Sequence, residues 1–211
     1  TTAGLAHAQT VIYVDQGADQ MPHDGSDWCH AYLELHEALL AAQGDPNVAT
    51  IRVANGTYKP TGGTARTATF HLIDGVAIEG GYAGCNDGGD VRDISLYETV
   101  LTGDLLGDDG PYYTNYDENC YNVVTGTGTG PSAVLDGFTI TGGNGSFEYG
   151  AGMHNEDCSP TLVNCTFLAN YDRGHGGGMY NDASSPTLLN CAFIRNCSDD
   201  NGGGAIYNRN D

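Results

Sequence analysis

The chain has 211 residues, of which 39% are hydrophobic and 32 are glycine, a composition that suits a stack of small, sharply turning layers better than one wide core. Its 27 acidic residues against 7 Lys and Arg give a formal net charge of −20. This charge excludes the usual nucleic-acid-binding surface, which neutralises phosphates with cationic side chains. It also disfavours anionic membranes and polyanions unless divalent cations bridge the two. No apolar run approaches the roughly 18 residues that a membrane-spanning helix needs.

The front of the chain is predicted to contain an arm, a strand and a helix. Residues 1–10 are expected to be a flexible arm or a signal remnant, because Ala6-His7-Ala8 has the small-x-small pattern that precedes signal-peptidase cleavage. A strand is predicted over 11–14. Apolar residues at helical spacing then predict a helix over about 26–42, with Ser26 or Asp27 as its N-cap. We expect this helix to cover the open front end of a solenoid core.

The middle of the chain predicts short strands separated by irregular loops. Strand-like segments occur at 50–53, 99–102 and 121–125, and loops rich in Asp, Gly and Asn are predicted at 84–96 and 104–120. Residues 73–78 resemble residues 135–140 at an offset of 62. This offset predicts two coils with about ten extra residues in the loops.

The last part of the chain, 121–211, is predicted to form regular coils. The segment that begins Ser159-Pro160-Thr161 recurs 26 residues later, and residues 134–140 fit the same frame at an offset of 27. Apolar residues alternate with polar or small ones within each repeat, which is typical of strands with one buried face. The predicted buried columns are Leu135/Leu162/Leu188, Phe138/Cys165/Cys191 and Ile140/Phe167/Phe193. The predicted ladders of side-chain amides are Asn164/Asn190 and Asn155/Asn181/Asn208.

A repeat of 26 to 27 residues limits the choice of fold. A propeller blade needs about 40 residues or more, and the Leu-x-x-Leu-x-Leu framework of leucine-rich repeats is missing from the sequence. The pattern therefore predicts an all-β protein, a parallel β-helix with three short strands per coil and one N-terminal capping helix. The whole of 11–211 is expected to be one domain.

Several motifs along the chain carry a family resemblance. They are Tyr13-Val14-Asp15, Asp24-Gly25-Ser26-Asp27-Trp28, Ile51-Arg52-Val53-Ala54-Asn55-Gly56-Thr57-Tyr58, Gly80-Gly81-Tyr82-Ala83-Gly84, Leu135-Asp136-Gly137-Phe138-Thr139-Ile140 and Gly176-Gly177-Gly178-Met179-Tyr180-Asn181. From residue 11 onward the chain resembles secreted right-handed β-helix repeat proteins of planctomycete-type bacteria, in the pectate-lyase-like superfamily. Its later repeats are similar to those of polymorphic outer-membrane proteins. The resemblance implies a right-handed β-helix and export from the cell, but it leaves function open.

Calcium is the cofactor that the acidic loops predict. Hard cations bind several oxygens at flexible spacing, and Gly-containing acidic loops supply them, although neither loop here matches the EF-hand pattern. Acidic turn residues without a metal are the alternative. The first predicted set is Asp104, Asp108, Asp109, Asp117 and Glu118, and the second is Asp15, Asp19, Asp24 and Asp27.

The aromatic residues and cysteines supply further candidate sites. His154, Tyr180 and Tyr207 are predicted to form an outward column that either stacks sugar rings or simply covers its sheet. Seven cysteines without a CxxC pair favour disulfides over zinc, and Cys29 and Cys85 are the predicted pair. Cys165 and Cys191 are expected to stack inward as small buried hydrophobes.

We expect a non-catalytic, extracellular structural or adhesive protein. The related lyases use calcium-binding acids with an Arg or Lys base and the hydrolases use clustered Asp residues, and neither set is evident here. The sequence stops after a strand without a terminal cap, so its open end is expected to be closed by a neighbouring copy, head to tail, or by the remainder of a longer chain. A carbohydrate-binding module and a polysaccharide lyase or hydrolase are the alternatives.

Overall fold

The computed structural model describes residues 10–146, 149–199 and 202–209. The predicted arm lies outside these residues, except for Thr10. The described residues form one α-helix, α1 (Leu35–Gly44), and two short 3-10 turns at Pro111–Tyr113 and Tyr116–Glu118. The strands in chain order are β1 (Thr10–Val14), β2 (Val48–Ala54), β3 (Gly56–Tyr58), β4 (Phe70–His71), β5 (Ala77–Gly84), β6 (Gly89–Arg92), β7 (Thr99–Thr102), β8 (Val124–Thr125), β9 (Val134–Asp136), β10 (Thr139–Thr141), β11 (Met153–Glu156), β12 (Thr161–Val163), β13 (Thr166–Leu168), β14 (Tyr171–Asp172), β15 (Met179–Asp182), β16 (Thr187–Leu189), β17 (Ala192–Ile194), β18 (Cys197–Ser198) and β19 (Ile206–Arg209).

Three parallel sheets run along the molecule. Their strand orders are β1-β2-β5-β9-β12-β16, β3-β7-β10-β13-β17 and β4-β8-β11-β15-β19, while β14 pairs with β18 and β6 pairs antiparallel with β5. From β2 onward each turn of the chain contributes one strand to each of the three long sheets, so the architecture is solenoid-like. The prediction of parallel strands in stacked coils is therefore confirmed for the described residues.

The core runs between the sheets, and its layers follow the predicted columns. Leu162 pairs in register with Leu135 on one side and with Leu188 on the other. Phe167 pairs in the same way with Ile140 and Phe193, and its ring stacks on that of Phe193 with centroids 4.7 Å apart. Strands that pair in register place equivalent side chains in one column, with about 4.8 Å between layers.

The predicted offset of 62 between the early and late coils is wrong. Ile78 pairs with Leu135, 57 residues later, and Ile140 pairs with Leu101. A single coil therefore runs from 77 to 133, and both predicted loops lie inside it. The apparent match arose because an Asp-Gly pair occurs at both places. The pair at Asp74 lies in a turn and the pair at Asp136 lies at the end of a strand, and Asp-Gly favours a bend in either setting.

The helix is shorter than predicted, since α1 begins at Leu35 and not near residue 26. Asp27 accepts hydrogen bonds from the backbone N–H groups of Cys29 and His30, which makes a local turn instead of a helix cap. The backbone N–H of Tyr32 then donates to Tyr13 O, which keeps this segment extended. The residues of α1 that pack on the core beside the first strands are Leu35, Ala38, Leu39 and Ala42.

Candidate functional site

The front of the molecule is held together by a disulfide beside an aromatic cluster. Cys29 and Cys85 are bonded with their Cα atoms 4.9 Å apart, which confirms the predicted pair. Trp28 packs against Tyr13 and Tyr82, with ring centroids 4.9 and 5.4 Å away. Trp28 is therefore part of this cluster and lies before α1, although the helix predicted over about 26–42 included it.

The second predicted acidic set does not converge on a cation site within the described residues. The buried Asp15 accepts hydrogen bonds from the backbone N–H groups of Gly17 and Cys85, each at 2.7 Å. Asp24 and Asp27 are exposed. Hydrogen bonds from the hydroxyl and the backbone N–H of Ser26 lower the pKa of Asp24, and those from the backbone N–H and the ring of His30 lower the pKa of Asp27. Asp19 lies next to the sulfurs of the disulfide, which are bonded to each other. These acids therefore serve the turns before α1.

Three acids of the first predicted set do come together. One carboxylate oxygen from each of Asp104, Asp108 and Glu118 lies within 4.8 Å of the others. Asp104 also accepts the backbone N–H groups of Gly107, Asp108 and Asp109, so the loop closes around its carboxylate. Glu118 accepts the N–H of Leu106 at 3.1 Å through Oε1, whereas its buried Oε2 has no hydrogen-bond partner in the described chain. Burial raises the pKa of Glu118.

The other two acids of that set are not part of this group of converging carboxylates. Asp109 accepts two hydrogen bonds from Nδ2 of the fully buried Asn119, at 3.1 and 2.9 Å. Burial, together with the neighbouring negative charges, raises the pKa of Asp109 to about 7. Asp117 is exposed. The geometry therefore narrows the predicted five acids to three that converge.

The predicted aromatic column exists, but its middle ring is not available to a ligand. His154, Tyr180 and Tyr207 pair in register on β11, β15 and β19. Tyr180 is only 2% exposed, because the rings of Tyr149 and His175 form a second stack against it and its neighbours. The predicted outward presentation of Tyr180 is wrong. The missed residues were detectable, since Tyr149 and His175 also lie 26 residues apart.

A tyrosine-rich pocket within the irregular loop was not predicted. Tyr112 is 99% exposed, and Tyr112, Tyr113 and Asn115 all have left-handed backbone conformations (φ 59°, 61° and 65°), which are uncommon outside glycine. The hydroxyl of Tyr113 donates to the backbone oxygen of Arg195 at 2.6 Å, which attaches this loop to the last described coil. A cavity of about 550 Å³ is lined by Gly110, Pro111, Tyr112, Tyr113, Tyr116, Ala169 and Arg195. Three tyrosines within five residues were the available sequence signal.

Most cationic side chains contact a carboxylate or a backbone oxygen of a neighbouring strand or loop. Arg52 contacts Glu79 and Asp90, and Arg92 contacts Asp136. The further contacts are those of Lys59 with Leu105 O, Arg66 with Asn119 O and Asn144 O, and Arg209 with Asp182. Five of the seven Lys and Arg residues therefore have structural contacts.

The helical segments of the described chain are too short, or too polar, to cross a membrane. No family model, curated protein or solved structure matches the chain.

Proposed function

We propose that the chain is a secreted, right-handed parallel β-helix that serves as a non-catalytic structural or adhesive element of the cell surface, and that a further coil stacks on its last described coil, supplied by a neighbouring copy or by the remainder of a longer chain. The observation that carries this proposal is the state of the last described coil. Leu188, Phe193 and Ile206 are only partly buried there. Their counterparts one coil earlier, Leu162, Phe167 and Met179, are 0% exposed.

The backbone of the same coil supports the addition of another one. Within the described residues, β16, β17 and β19 each pair on one side only, and together they end all three long sheets. Open strand edges favour pairing with a further strand, and the partly exposed apolar residues would be buried by it. At the other end α1 packs on the core beside the first strands, so the two ends differ. The disulfide supports the proposal that the protein folds in an oxidising compartment outside the cytoplasm.

Light scattering on purified chain, from micromolar to several hundred micromolar, tests this proposal. We expect association that grows with concentration. Phe193→Lys should weaken it at least tenfold in dissociation constant, a change of about 1.4 kcal/mol, because the charge would be buried at the open edge. The matched control is Leu96→Lys, because Leu96 is 68% exposed at the end of the 84–96 loop. A monomer at every concentration, or equal association of the two variants, would overturn the neighbouring copy as the source of the further coil.

A second candidate function is carbohydrate binding, and the tyrosine-rich pocket beside Tyr112 favours it. A fully exposed aromatic ring on a strained backbone is costly to maintain, and a concave site with a few polar groups is the usual form of a ligand pocket. The Tyr112 ring offers a face for a sugar ring, and Arg195 offers hydrogen-bond donors beside it. A glycan array tests this candidate: Tyr112→Ala should abolish the signal and Tyr97→Ala should leave it unchanged. An array without any signal would remove the candidate.

We also propose that the Asp104, Asp108 and Glu118 cluster binds Ca²⁺. Support comes from the three convergent carboxylates and from the buried Glu118 Oε2, which lacks a hydrogen-bond donor in the described chain. Oxygen ligands of this kind suit a hard cation. A bound cation would offset the repulsion between the three carboxylates and stabilise the fold of the 104–120 loop.

A further inference from the structure

Cys165 and Cys191 occupy the same place in consecutive coils. The strands on either side of them are in register, with Val163 opposite Leu189 before the turn and Thr166 opposite Ala192 after it. The turns themselves are alike, because Asn164 and Asn190, the residues that precede the two cysteines, have φ angles of 51° and 53° and are joined by a side-chain hydrogen bond of 2.7 Å. The two cysteines are therefore stacked one layer apart.

The distance between these layers suits a covalent bond. Neighbouring strands of a parallel sheet lie about 4.8 Å apart, which falls within the Cα separation of about 4.4 to 6.8 Å that disulfides accept. Both side chains face the core: Cys165 belongs to it and Cys191 packs against it. The bonded pair Cys29 and Cys85 has a comparable Cα separation of 4.9 Å.

The two thiols differ in a way that suits thiol–disulfide exchange. Cys165 is fully buried, whereas Cys191 lies in the last described coil and is half-buried. The proximity of the two thiols lowers the pKa of Cys191 to about 6 and raises that of Cys165. Because Cys191 is also the more exposed thiol, it is the one that more readily forms the thiolate that attacks a small disulfide.

We propose that Cys165 and Cys191 are a modification site, at which a low-molecular-weight disulfide such as oxidised glutathione converts the two thiols into a second disulfide. The Cys191 thiolate attacks one sulfur of the small disulfide, forms a mixed disulfide and releases one small thiolate. Cys165 then attacks the Cys191 sulfur while its proton passes to the departing sulfur, and the second small thiol leaves. The protein loses two thiol hydrogens, and the small disulfide is reduced to two thiols.

The bond would join the last two described coils. It closes a loop of 26 residues (165 to 191), and such a loop limits the conformations of the unfolded chain. The last coil has no further coil stacked on it among the described residues, so it depends most on such a link. The inference does not rest on the proposed function.

Alkylation and peptide mass mapping of the native full-length chain test the inference. The protein is kept dilute, incubated with oxidised glutathione, alkylated and digested without reduction. We expect the five free thiols, Cys120, Cys158, Cys165, Cys191 and Cys197, to fall to three, with a cross-linked peptide containing Cys165 and Cys191. The melting temperature should rise on the order of 5 °C. Alkylatable Cys165 and Cys191 after prolonged incubation, or a cross-link between other cysteines, would overturn the inference.

Single substitutions separate the two thiols. Cys165→Ser should leave Cys191 as a persistent mixed disulfide with glutathione, whereas Cys191→Ser should leave Cys165 unmodified because it is buried. Cys197→Ser removes another half-buried thiol and should not change the cross-link. Equal glutathionylation of the Cys165→Ser and Cys191→Ser variants would contradict the assigned roles.

Discussion

The side-chain amide of Asn155 donates a hydrogen bond of 2.8 Å to Oδ1 of Asn181, one coil further along the chain. Asn181 repeats this bond to Asn208 over 2.7 Å. Asn155 is fully buried and Asn181 is 3% exposed. The ladder therefore satisfies buried polar groups and at the same time specifies the register of three coils.

Removal of the middle amide of this ladder should destabilise the protein. Asn181→Ala deletes two hydrogen bonds and leaves the buried Nδ2 of Asn155 without its acceptor, so we expect a loss of about 2 kcal/mol in the free energy of unfolding. Urea unfolding followed by circular dichroism measures the loss. Asn208→Ala removes a single, part-buried bond of the same ladder at an exposed residue and should cost about 1 kcal/mol. Equal losses for the two variants would show that burial does not set the cost.

The disulfide between Cys29 and Cys85 should be a major source of stability at the front end. It joins residues 56 positions apart, and a link of this length stabilises a protein by about 3 to 4 kcal/mol. The double variant Cys29→Ser/Cys85→Ser should unfold at lower urea concentration, and wild type in dithiothreitol should behave in the same way. The fluorescence of Trp28, the single tryptophan, reports on this region. An unchanged midpoint in both experiments would contradict the prediction.

Calcium should stabilise the protein through the three convergent acids. At about 100 times its dissociation constant, a bound ion adds about 2.7 kcal/mol, so the melting temperature should rise by several degrees over that in a chelator. Glu118→Gln and Asp104→Asn should remove this rise, because each takes away one negative ligand. Asp117→Asn, a neighbouring exposed acid outside the cluster, is the control and should respond as wild type does. An equal response of Glu118→Gln and Asp117→Asn would exclude this site.

His71 should make the protein less stable in mild acid. Burial lowers the pKa of His71 below its ordinary value of 6.5, and its Nδ1 lies 3.0 Å from Oγ1 of Thr125. The unfolded chain therefore binds a proton more readily than the folded chain, and stability is lost as the pH falls through about 6.5. Urea midpoints at about pH 7.5 and about pH 5.5 measure this loss, which should be smaller in His71→Gln. An identical loss in the variant would assign the acid sensitivity to other groups.

The regular coils could be read from the sequence because their repeat is local. Ser159-Pro160-Thr161 and its copy 26 residues later have the same turns, and turns of equal length force Leu162 and Leu188 into one column. The front coils could not be read in this way. Ile78 meets Leu135 across an insertion whose length no repeat restricts, and the pairing depends on contacts that are distant in the chain.

The candidate site shows the same division. Composition identified the acidic loop, but five acids in one loop have no defined separation until the backbone closes, and closure around Asp104 brings only Asp108 and Glu118 beside it. Similarly, the start of α1 was set by a turn at Asp27 and by the pairing of Tyr32 with Tyr13, which helical spacing does not encode.

By itself, the sequence determined the parallel stacked strands, the columns and Asn ladders of the late coils and the pairing of Cys29 with Cys85. These features follow from periodicity and from where the cysteines lie. Only the tertiary structure decided which coils adjoin across the insertion, that Tyr180 is covered and that Tyr112 is exposed. Each of these depends on non-local packing, because the exposure of a side chain is set by the elements that pack on it and not by its neighbours in the chain.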